Sequence, residues 1–262
     1  MGTGDTLSVI IPAWREGSRL LEAIRAARMA VGQGEFVVVA CEESREIRDA
    51  ACAEGVAWID SPRACRGLQL KLGAERARGR ILVFLHADTR LPCDAGSLIR
   101  RALELEGVAG GAFRLRFNLE HPVLDVLAWL SGMTLPMTFL GDQCLFCSRG
   151  AYEAAGGFLP QSLFEDVDFA RRLARIGKLV RLRAAVTTSA RRFVRHGPVR
   201  QLATNALLLL TYHAGVSPER LHGVYEPGAS MLPTVGTVGH RRSPKTTVRW
   251  RARTRRIRGS QA

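Results

Sequence analysis

Short, almost wholly apolar segments alternate with helical patterns through the first part of this 262-residue chain. Residues 7–13, 35–41, 56–60 and 81–85 have the length and apolar content of strands that are buried on both faces. Because helical patterns separate these segments, the strands should lie parallel, with helices covering both sides of the sheet. The sequence therefore predicts an α/β fold built on a mostly parallel sheet flanked by helices.

Three residues mark the predicted helix ends. Ser44 and Asp94 stand at N-cap positions, where a short polar side chain accepts a hydrogen bond from a free backbone N–H. Gly79 follows the helix predicted over 67–78, and glycine readily adopts the left-handed conformation that ends a helix.

The pattern changes after residue 112. "FRLRFN" (113–118) alternates apolar and polar residues, which is typical of an antiparallel strand with one solvent-exposed face. The rest of the chain predicts further strands at 143–148, 178–182 and 186–193, and helices at 122–133, 165–177 and 198–215.

The positive charge is concentrated near the C-terminus. The formal net charge is +14, and nine Lys or Arg lie between Arg241 and Arg258 without a single acid. We predict a folded domain over 1–227 and a disordered basic tail over 228–262. Three alternatives stay open for the tail: it binds an anionic membrane surface, it binds nucleic acid without sequence specificity, or it has no partner. No specific nucleic-acid site is predicted.

No apolar run reaches the roughly 18 to 20 residues that span a bilayer, and the N-terminus lacks the pattern of a signal peptide. We therefore predict a cytoplasmic protein, with peripheral attachment at the inner face of the membrane as an open alternative. The segment "NALLLLTYHAGV" (205–216) is then either a helix lying against the membrane or an ordinary packing helix.

The six cysteines are scattered, and one pair has a suggestive spacing. "CLFC" (144–147) has the spacing of half a zinc site, but the second pair that such a site needs is missing. We predict buried structural thiols.

Polar side chains follow the strand at 81–85. In an open parallel sheet, ligands bind beyond the carboxyl ends of the strands, and His86 and Asp88 point to the same side of an extended chain. A carboxylate here suits Mg²⁺ or Mn²⁺ shared with a ligand's phosphates, because such ions take only one or two protein carboxylates. The alternative is that Asp88 simply begins the turn in "ADTRLP".

The glycine motifs that cradle phosphates are absent. There is no G-x-x-x-x-G-K-[ST] and no G-x-G-x-x-G after a strand, which argues against a kinase, an NTPase or a nicotinamide enzyme. A sugar nucleotidyltransferase would need a glycine-rich basic loop after the first strand, and "PAWREGSRLL" does not supply one.

Four strings together carry a resemblance. "SVIIPAWRE", "GRILVFLHADTRLP", "GDQCLF" and "FEDVDFARRL", in this order, resemble the family 2 glycosyltransferases with the GT-A fold. The chain is most similar to a bacterial subgroup described as arsenosugar-biosynthesis-type glycosyltransferases. The likeness extends through "SARRFVRHGP" and "GVSPERL", so it covers about residues 7–227 and leaves the basic tail outside.

The resemblance implies a GT-A, Rossmann-like sheet with an antiparallel portion on the acceptor side, and a role for each matching residue. Asp88 would be the main carboxylate ligand of Mg²⁺ or Mn²⁺, with His196 as a second ligand. Asp166, beside Glu165, would be the general base on the acceptor hydroxyl. The implied contacts with the nucleotide, the diphosphate or the sugar are Pro12, Ala13, Glu16, Glu42, Gln69, Lys71, His86, Gly141, Asp142, Gln143, Arg192 and Arg195.

The activity implied is metal-dependent transfer of a sugar from a nucleotide-diphosphate sugar to a hydroxyl of a small-molecule or lipid acceptor. One base and no enzymic nucleophile would give direct displacement with inversion. For Asp166, the competing interpretation is a helix-capping acid.

The chain departs from the family pattern at three places. Residues 40–43 replace the usual Asp that pairs with the nucleotide base, so Glu42 is only a candidate substitute. Lys71 stands where Asn is usual. His86 replaces the first acid of the Asp-x-Asp motif, and it is either a contact with the nucleotide or the metal or a core histidine. Two other functions therefore stay open: a sugar-nucleotide binder without turnover, and a membrane or nucleic-acid binder that acts through the tail.

Overall fold

The computed structural model describes residues 6–135, 138–218 and 220–221. Within these residues the chain forms one eight-stranded sheet with the order β3-β2-β1-β4-β7-β6-β8-β5. The strands are β1 Leu7–Trp14, β2 Glu35–Cys41, β3 Ala57–Asp60, β4 Ile81–Phe84, β5 Thr89–Arg90, β6 Val108–Phe117, β7 Leu145–Ser148 and β8 Lys178–Thr188. The helices are α1 Ser18–Val31, α2 Arg45–Ala53, α3 Arg66–Arg76, α4 Ala95–Leu103, α5 Pro122–Leu130, α6 Arg149–Ala154, α7 Glu165–Leu173, α8 Arg191–His196 and α9 Pro198–His213.

The first four strands of the order pair in parallel, as the apolar runs predict. β1 lies between β2 and β4, and β3 completes this half of the sheet. The second half is mixed, because β7 runs antiparallel to both β4 and β6, whereas β6 and β8 are parallel. The predicted α/β class with a mostly parallel sheet and an antiparallel portion is confirmed.

Apolar side chains cover both faces of the sheet. One buried cluster joins α1 and α4 to the sheet, and the other joins α3, α6 and α7 to its opposite face. The second cluster contains a group of aromatic rings, in which Phe84 of β4 meets Phe158 edge-on at 4.8 Å between ring centroids. Burial on both faces explains why these strands are apolar without alternation.

β6 agrees with the predicted strand at 113–118 only in part. The burial alternation is correct, since Phe113 and Leu115 are buried while Arg114 and Arg116 are exposed. The strand starts earlier, at Val108, and its longest pairing is the parallel one with β8. A parallel partner leaves the same alternation of faces, so the sequence pattern could not distinguish the two pairings.

The two strands predicted at 178–182 and 186–193 are wrong in their boundaries. A single strand, β8, runs through to Thr188, and a register shift opposite Phe113 and Arg114 lets it continue past Arg183. The chain then enters α8, whose Phe193 is buried against Phe117. Packing of this aromatic side chain favours a helix where the β-branched residues favoured a strand.

Two predicted helix signals act differently from expectation. Asp94 is at the N-cap of α4, but its side chain makes no capping bond. Gly79 is not left-handed; instead, a Cβ there would lie 2.5 Å from Ser8 Oγ and 2.6 Å from the Thr6 carbonyl oxygen. Glycine is needed at 79 because the backbone passes directly against β1.

Cys144 and Cys147 are buried free thiols, and burial raises the pKa of both. No helix among the described residues combines the length and the apolar character that crossing a bilayer would require. The predicted basic tail lies outside the described residues, so the boundary at residue 227 stays a prediction.

Gly73 of α3 provides a test of how tightly helix and sheet pack. A Cβ there would lie 2.4 Å from Ile10 Cγ2 and 3.1 Å from Val39 Cγ2, so Gly73→Ala should lower the free energy of unfolding by about 1 to 3 kcal/mol. The control is Gly150→Ala in α6, where a Cβ meets nothing within 4 Å; we expect a gain of at most about 1 kcal/mol there. Urea unfolding of both variants would measure these changes. An unchanged free energy of unfolding in Gly73→Ala would contradict the tight packing of α3 on the sheet.

Candidate active site

Residues from four parts of the chain meet beyond the carboxyl ends of β1 and β4. Because β7 is antiparallel to β4, with Leu145 opposite Phe84, the segment before β7 lies beside the segment after β4. That segment is a short 3-10 helix, Gly141–Gln143. It therefore meets His86 and Asp88, and the start of α7 lies against it.

Gly141 joins the strand end to the start of α7. Its amide donates a hydrogen bond of 2.6 Å to Asp166 Oδ2. A Cβ on Gly141 would lie 2.6 Å from His86 Nε2 and 3.3 Å from Asp166 Oδ2, so only glycine allows this approach. His86 and Asp166, which are 80 positions apart in the sequence, thus lie on the two sides of one glycine.

Asp166 is buried at the first turn of α7. Its Oδ1 accepts a hydrogen bond from its neighbour's amide, Val167 N, at 2.7 Å. The two backbone N–H groups on its two oxygens fix the orientation of the carboxylate, and each oxygen keeps a second lone pair for another donor. The residue before the helix, Phe164, has a φ of 58°, an uncommon conformation for a non-glycine residue, and it sets where α7 begins.

Glu165 is fully buried and forms an ion pair with Arg66 at the start of α3. Burial raises the pKa of Glu165, Arg66 opposes this, and the neighbouring Asp166 adds to it. Its Oε2 is buried without a hydrogen-bond partner. Glu165 therefore acts as an anchor that ties α7 to α3, next to the Asp166 carboxylate.

His86 has a buried Nε2 with no hydrogen-bond partner. Burial lowers the pKa of His86 well below its usual value, and the charges of Arg66 and Arg192 lower it further. The imidazole is therefore neutral at physiological pH, and it offers a ring nitrogen to the site rather than a positive charge.

Asp88 and Glu16 share one cation. The Arg191 Nη2 atom lies 3.3 Å from Asp88 Oδ2 and 3.7 Å from Glu16 Oε2. Burial raises the pKa of Glu16; Arg191 opposes this effect, and the charge of Asp88 adds to it. Arg191 is thus a residue of α8 that pairs with the acids at the strand ends.

The loop that carries Glu16 is held by Glu43. The Glu43 carboxylate accepts hydrogen bonds from the amides of Glu16, at 2.5 Å, and Gly17, at 3.1 Å. Glu42, the candidate for base recognition, instead pairs with Arg15 at the surface, at 2.5 Å. Recognition of a nucleotide base by Glu42 stays a prediction.

Asp142 is a second acid of the site with a strongly raised pKa. Its Oδ1 is buried without a partner. Burial raises the pKa of Asp142 to about 7, and the charges of Asp166 and Asp88 contribute to the rise. Asp88 and Asp166 are therefore close enough to Asp142 for their negative charges to act on it.

Two predicted contact residues hold the backbone. The Gln69 amide donates to the carbonyl oxygens of Ala13 and Val39, at 2.8 and 2.9 Å, and so ties the ends of β1 and β2 together. Gln143 Oε1 accepts hydrogen bonds from Arg181 Nη1 at 2.5 Å and from the amide of Leu140 at 3.2 Å. Both glutamines are almost fully buried, so they shape the site from behind.

The remaining predicted residues differ in exposure. Pro12 and Ala13 are buried in β1, so only their backbone faces the strand end. Lys71 pairs with Glu75 at 4.0 Å, one turn further along α3 and thus away from the strand ends. Direct contact of these residues with a ligand stays a prediction.

The predicted cations of α8 are exposed. Arg192 is close enough to His86 to lower its pKa, whereas Arg195 lies along a surface cleft with Asn118. His196 is five residues beyond Arg191, which is about 7.5 Å along a helix axis. Its role as a metal ligand with Asp88 stays a prediction.

The carboxylates fit a hard divalent cation. No group of three or more His, Cys, Asp or Glu side chains in the described residues is placed so that it could hold a metal ion by itself. Mg²⁺ and Mn²⁺ do not need one, because such ions fill their remaining positions with substrate phosphates and water. Glu16 Oε2 and Asp142 Oδ1 are buried acceptors without hydrogen-bond partners, close to Asp88. An oxygen-binding cation shared by these carboxylates would remove their mutual repulsion.

The fold matches solved structures at low sequence identity. The glucosyl-3-phosphoglycerate synthase of Mycobacterium tuberculosis, solved with Mn²⁺, UDP and glucosyl-3-phosphoglycerate, superposes with a TM-score of 0.55 at 17% identity, over 82% of this chain and 81% of that one. S. aureus TarS 1–349 gives a TM-score of 0.55 at 14% identity, over 71% of this chain and 60% of that one. The same TarS fragment has also been solved with UDP-GlcNAc. No protein-family model matches the sequence, and no curated protein matches it. The chain therefore has the fold of these GT-A glycosyltransferases.

Sequence reasoning missed two arginines of the site. Arg191 precedes the predicted Arg192 and Arg195 in "SARRFVRHG", and Arg66 begins the helix that carries Gln69. Their long side chains reach partners 103 and 99 positions away, respectively, and no local pattern encodes that reach.

The raised pKa of Asp142 predicts that the stability of the protein depends on pH. Its folded-state pKa of about 7 lies above the ordinary value of 3.8, so the folded protein binds more protons and the free energy of unfolding falls as the pH rises between these values. From about pH 5 to about pH 8, the wild type should lose on the order of 1 to 3 kcal/mol more than Asp142→Asn. Urea unfolding in the presence of a chelator would measure this; parallel pH curves for the two proteins would contradict it.

Proposed function

We propose that this chain is a metal-dependent, inverting glycosyltransferase that moves a sugar from a nucleotide-diphosphate sugar to an acceptor hydroxyl. The observation that carries the proposal is the contact at Gly141, which brings the Asp166 carboxylate to the strand end that bears His86 and Asp88. A buried, oriented carboxylate beside a set of carboxylates suited to a hard cation is what such a reaction needs. The fold shared with the M. tuberculosis synthase, solved with Mn²⁺ and UDP, supports the substrate class.

In this proposal the acceptor hydroxyl loses its proton to Asp166 as its oxygen attacks the anomeric carbon. The new carbon–oxygen bond forms on the face opposite the bond to the diphosphate, and the diphosphate leaves with the bonding electron pair. A single displacement of this kind inverts the anomeric configuration. The hydrogen bonds from Gly141 N and Val167 N orient the Asp166 carboxylate for this proton transfer.

The charge that develops on the diphosphate needs cations. Asp88, with Glu16 or Asp142, would hold Mg²⁺ or Mn²⁺, which stabilises the departing negative charge when bound. Arg191 lies at two of these carboxylates, Asp88 and Glu16, and is a side-chain cation within reach of both. Because His86 is neutral, the positive charge that offsets the diphosphate would come from the metal and Arg191.

Two other functions make different predictions. A sugar-nucleotide binder without turnover, an alternative that the Ala40–Glu43 departure leaves open, would bind the nucleotide with metal but release no free nucleotide diphosphate. A membrane or nucleic-acid binder acting through the basic tail would lose affinity steeply with salt and would be indifferent to Asp88. A cytoplasmic location stays a prediction of the sequence.

Two variants, compared for binding and for turnover, distinguish the role of Asp88 from that of Asp166. Asp166→Asn should lower turnover by about 10²- to 10⁴-fold, because the general base is lost, while Mn²⁺-dependent binding of a nucleotide-diphosphate sugar persists. Asp88→Asn should abolish the metal dependence of that binding. A panel of sugar nucleotides, tested by calorimetry and by nucleotide-diphosphate release, would provide both measurements.

The control for both variants is Asp49→Asn, which changes an exposed acid of α2 and should leave binding and turnover unchanged. Full turnover by Asp166→Asn would contradict the assignment of the base. If no sugar nucleotide bound to the wild type with Mg²⁺ or Mn²⁺, the proposed function itself would be wrong.

Arg191 should compete with the metal. Because its guanidinium pairs with Asp88 and Glu16, Arg191→Gln should raise the affinity for Mn²⁺ alone by up to about fivefold, the equivalent of roughly 1 kcal/mol. The same change should weaken binding of the nucleotide diphosphate with Mn²⁺, because a cation is lost. Calorimetric titrations with Mn²⁺ alone and with UDP plus Mn²⁺ would measure the two effects, and changes in the same direction would contradict the competition.

A further inference from the structure

α9 exposes an apolar face. The exposed positions of this helix and the residue after it recur at intervals of three and four, so they form one stripe along the helix: Val199, Arg200, Ala203, Ala206, Leu207, Leu210, His213 and Ala214. Leu207 is 62% exposed and Leu210 is 68% exposed. A surface helix normally directs charged and polar residues to solvent, whereas the exposed stripe of α9 is apolar except for Arg200 and His213.

The neighbouring helix, α5, has the same property. Apart from Pro122 and Asp125, its exposed residues are Val126, Trp129 and Leu130, and Trp129 is 75% exposed. Met133 and Leu135, in the segment that follows, are also exposed. α5 and α9 contact each other, so two apolar stripes belong to one region of the surface. We call this region the α5–α9 face and define it by Val126, Trp129, Leu130, Leu207 and Leu210.

Positive charge accompanies the α5–α9 face. From Arg191 to His213, which spans α8 and α9, the chain has four arginines and no acid. Arg192, Arg195 and Arg200 are exposed. Exposed apolar residues beside basic ones, on helices parallel to the surface, are the features of helices that lie in the interface of an anionic bilayer.

We propose that the α5–α9 face binds an anionic lipid bilayer, with Trp129, Leu207 and Leu210 inserted at the level of the headgroups. A second copy of the chain is the other candidate occupant. Its own arginines would be brought against those of the first copy, which opposes that association electrostatically, whereas anionic headgroups complement them. The proposal concerns described residues and is separate from any binding by the basic tail.

The test uses the full chain and two charge-matched double variants. L207E/L210E places two acids on the α5–α9 face. M29E/L105E places two acids at other exposed apolar positions, Met29 at 81% and Leu105 at 58% exposure. Co-sedimentation with phosphatidylcholine vesicles containing phosphatidylglycerol would be measured at low and high salt, because salt screens the contribution of the tail. Circular dichroism would verify that both variants fold.

We expect L207E/L210E to lower the vesicle partition coefficient at high salt by at least about tenfold, because two apolar side chains are no longer buried. M29E/L105E should bind as the wild type does. A second readout is tryptophan fluorescence: vesicles should shift the wild-type emission to the blue, and Trp129→Phe should remove most of that shift.

Several outcomes would overturn the proposal. These are wild-type binding by L207E/L210E, an equal loss in both double variants, or no binding of the wild-type chain to the vesicles. If sedimentation showed a wild-type dimer that L207E/L210E dissociates, without an effect on vesicle binding, the α5–α9 face would be an interface between copies of the chain instead.

Discussion

The antiparallel pairing of β7 with β4 determines where the site forms. In a wholly parallel sheet, the start of every strand lies at the edge opposite to the strand ends that bind ligands. Reversing β7 brings its preceding segment, Gly141–Gln143, to the edge where β4 ends. The Gly141 amide can then bond to Asp166, and the absence of a side chain at 141 leaves room for His86. One reversed strand therefore brings Asp88 and Asp142 close to the Asp166 carboxylate.

The site is electrostatically unfavourable in the absence of a ligand. Glu16, Asp142 and Glu165 all have raised pKa values, in each case first because of burial. Arg66 and Arg191 compensate part of this charge, but buried oxygens of these acids remain without hydrogen-bond partners. Stability alone would not favour such groups, and buried acids with raised pKa values and unpaired oxygens are typical of functional sites.

The sequence predicted the parallel half of the sheet well because each strand there is buried by its immediate helical neighbours, and burial on both faces produces apolar runs. It also located Asp88 correctly at a strand end. It could not separate Gln69 and Gln143, which bond to the backbone, from residues that would face a ligand, because both kinds of glutamine look alike in sequence. The α8 boundary was missed for a related reason: burial of Phe193 against Phe117 decides it, and that contact is distant in sequence.

α8 connects the acids at the strand ends to the α5–α9 face. Its first residue, Arg191, pairs with Asp88 and Glu16, and its Phe193 packs in a cluster with Leu124 of α5. The same helix also contacts α9. The helix that supplies Arg191 to the carboxylates therefore also packs against α5 and α9, the two helices that carry the α5–α9 face.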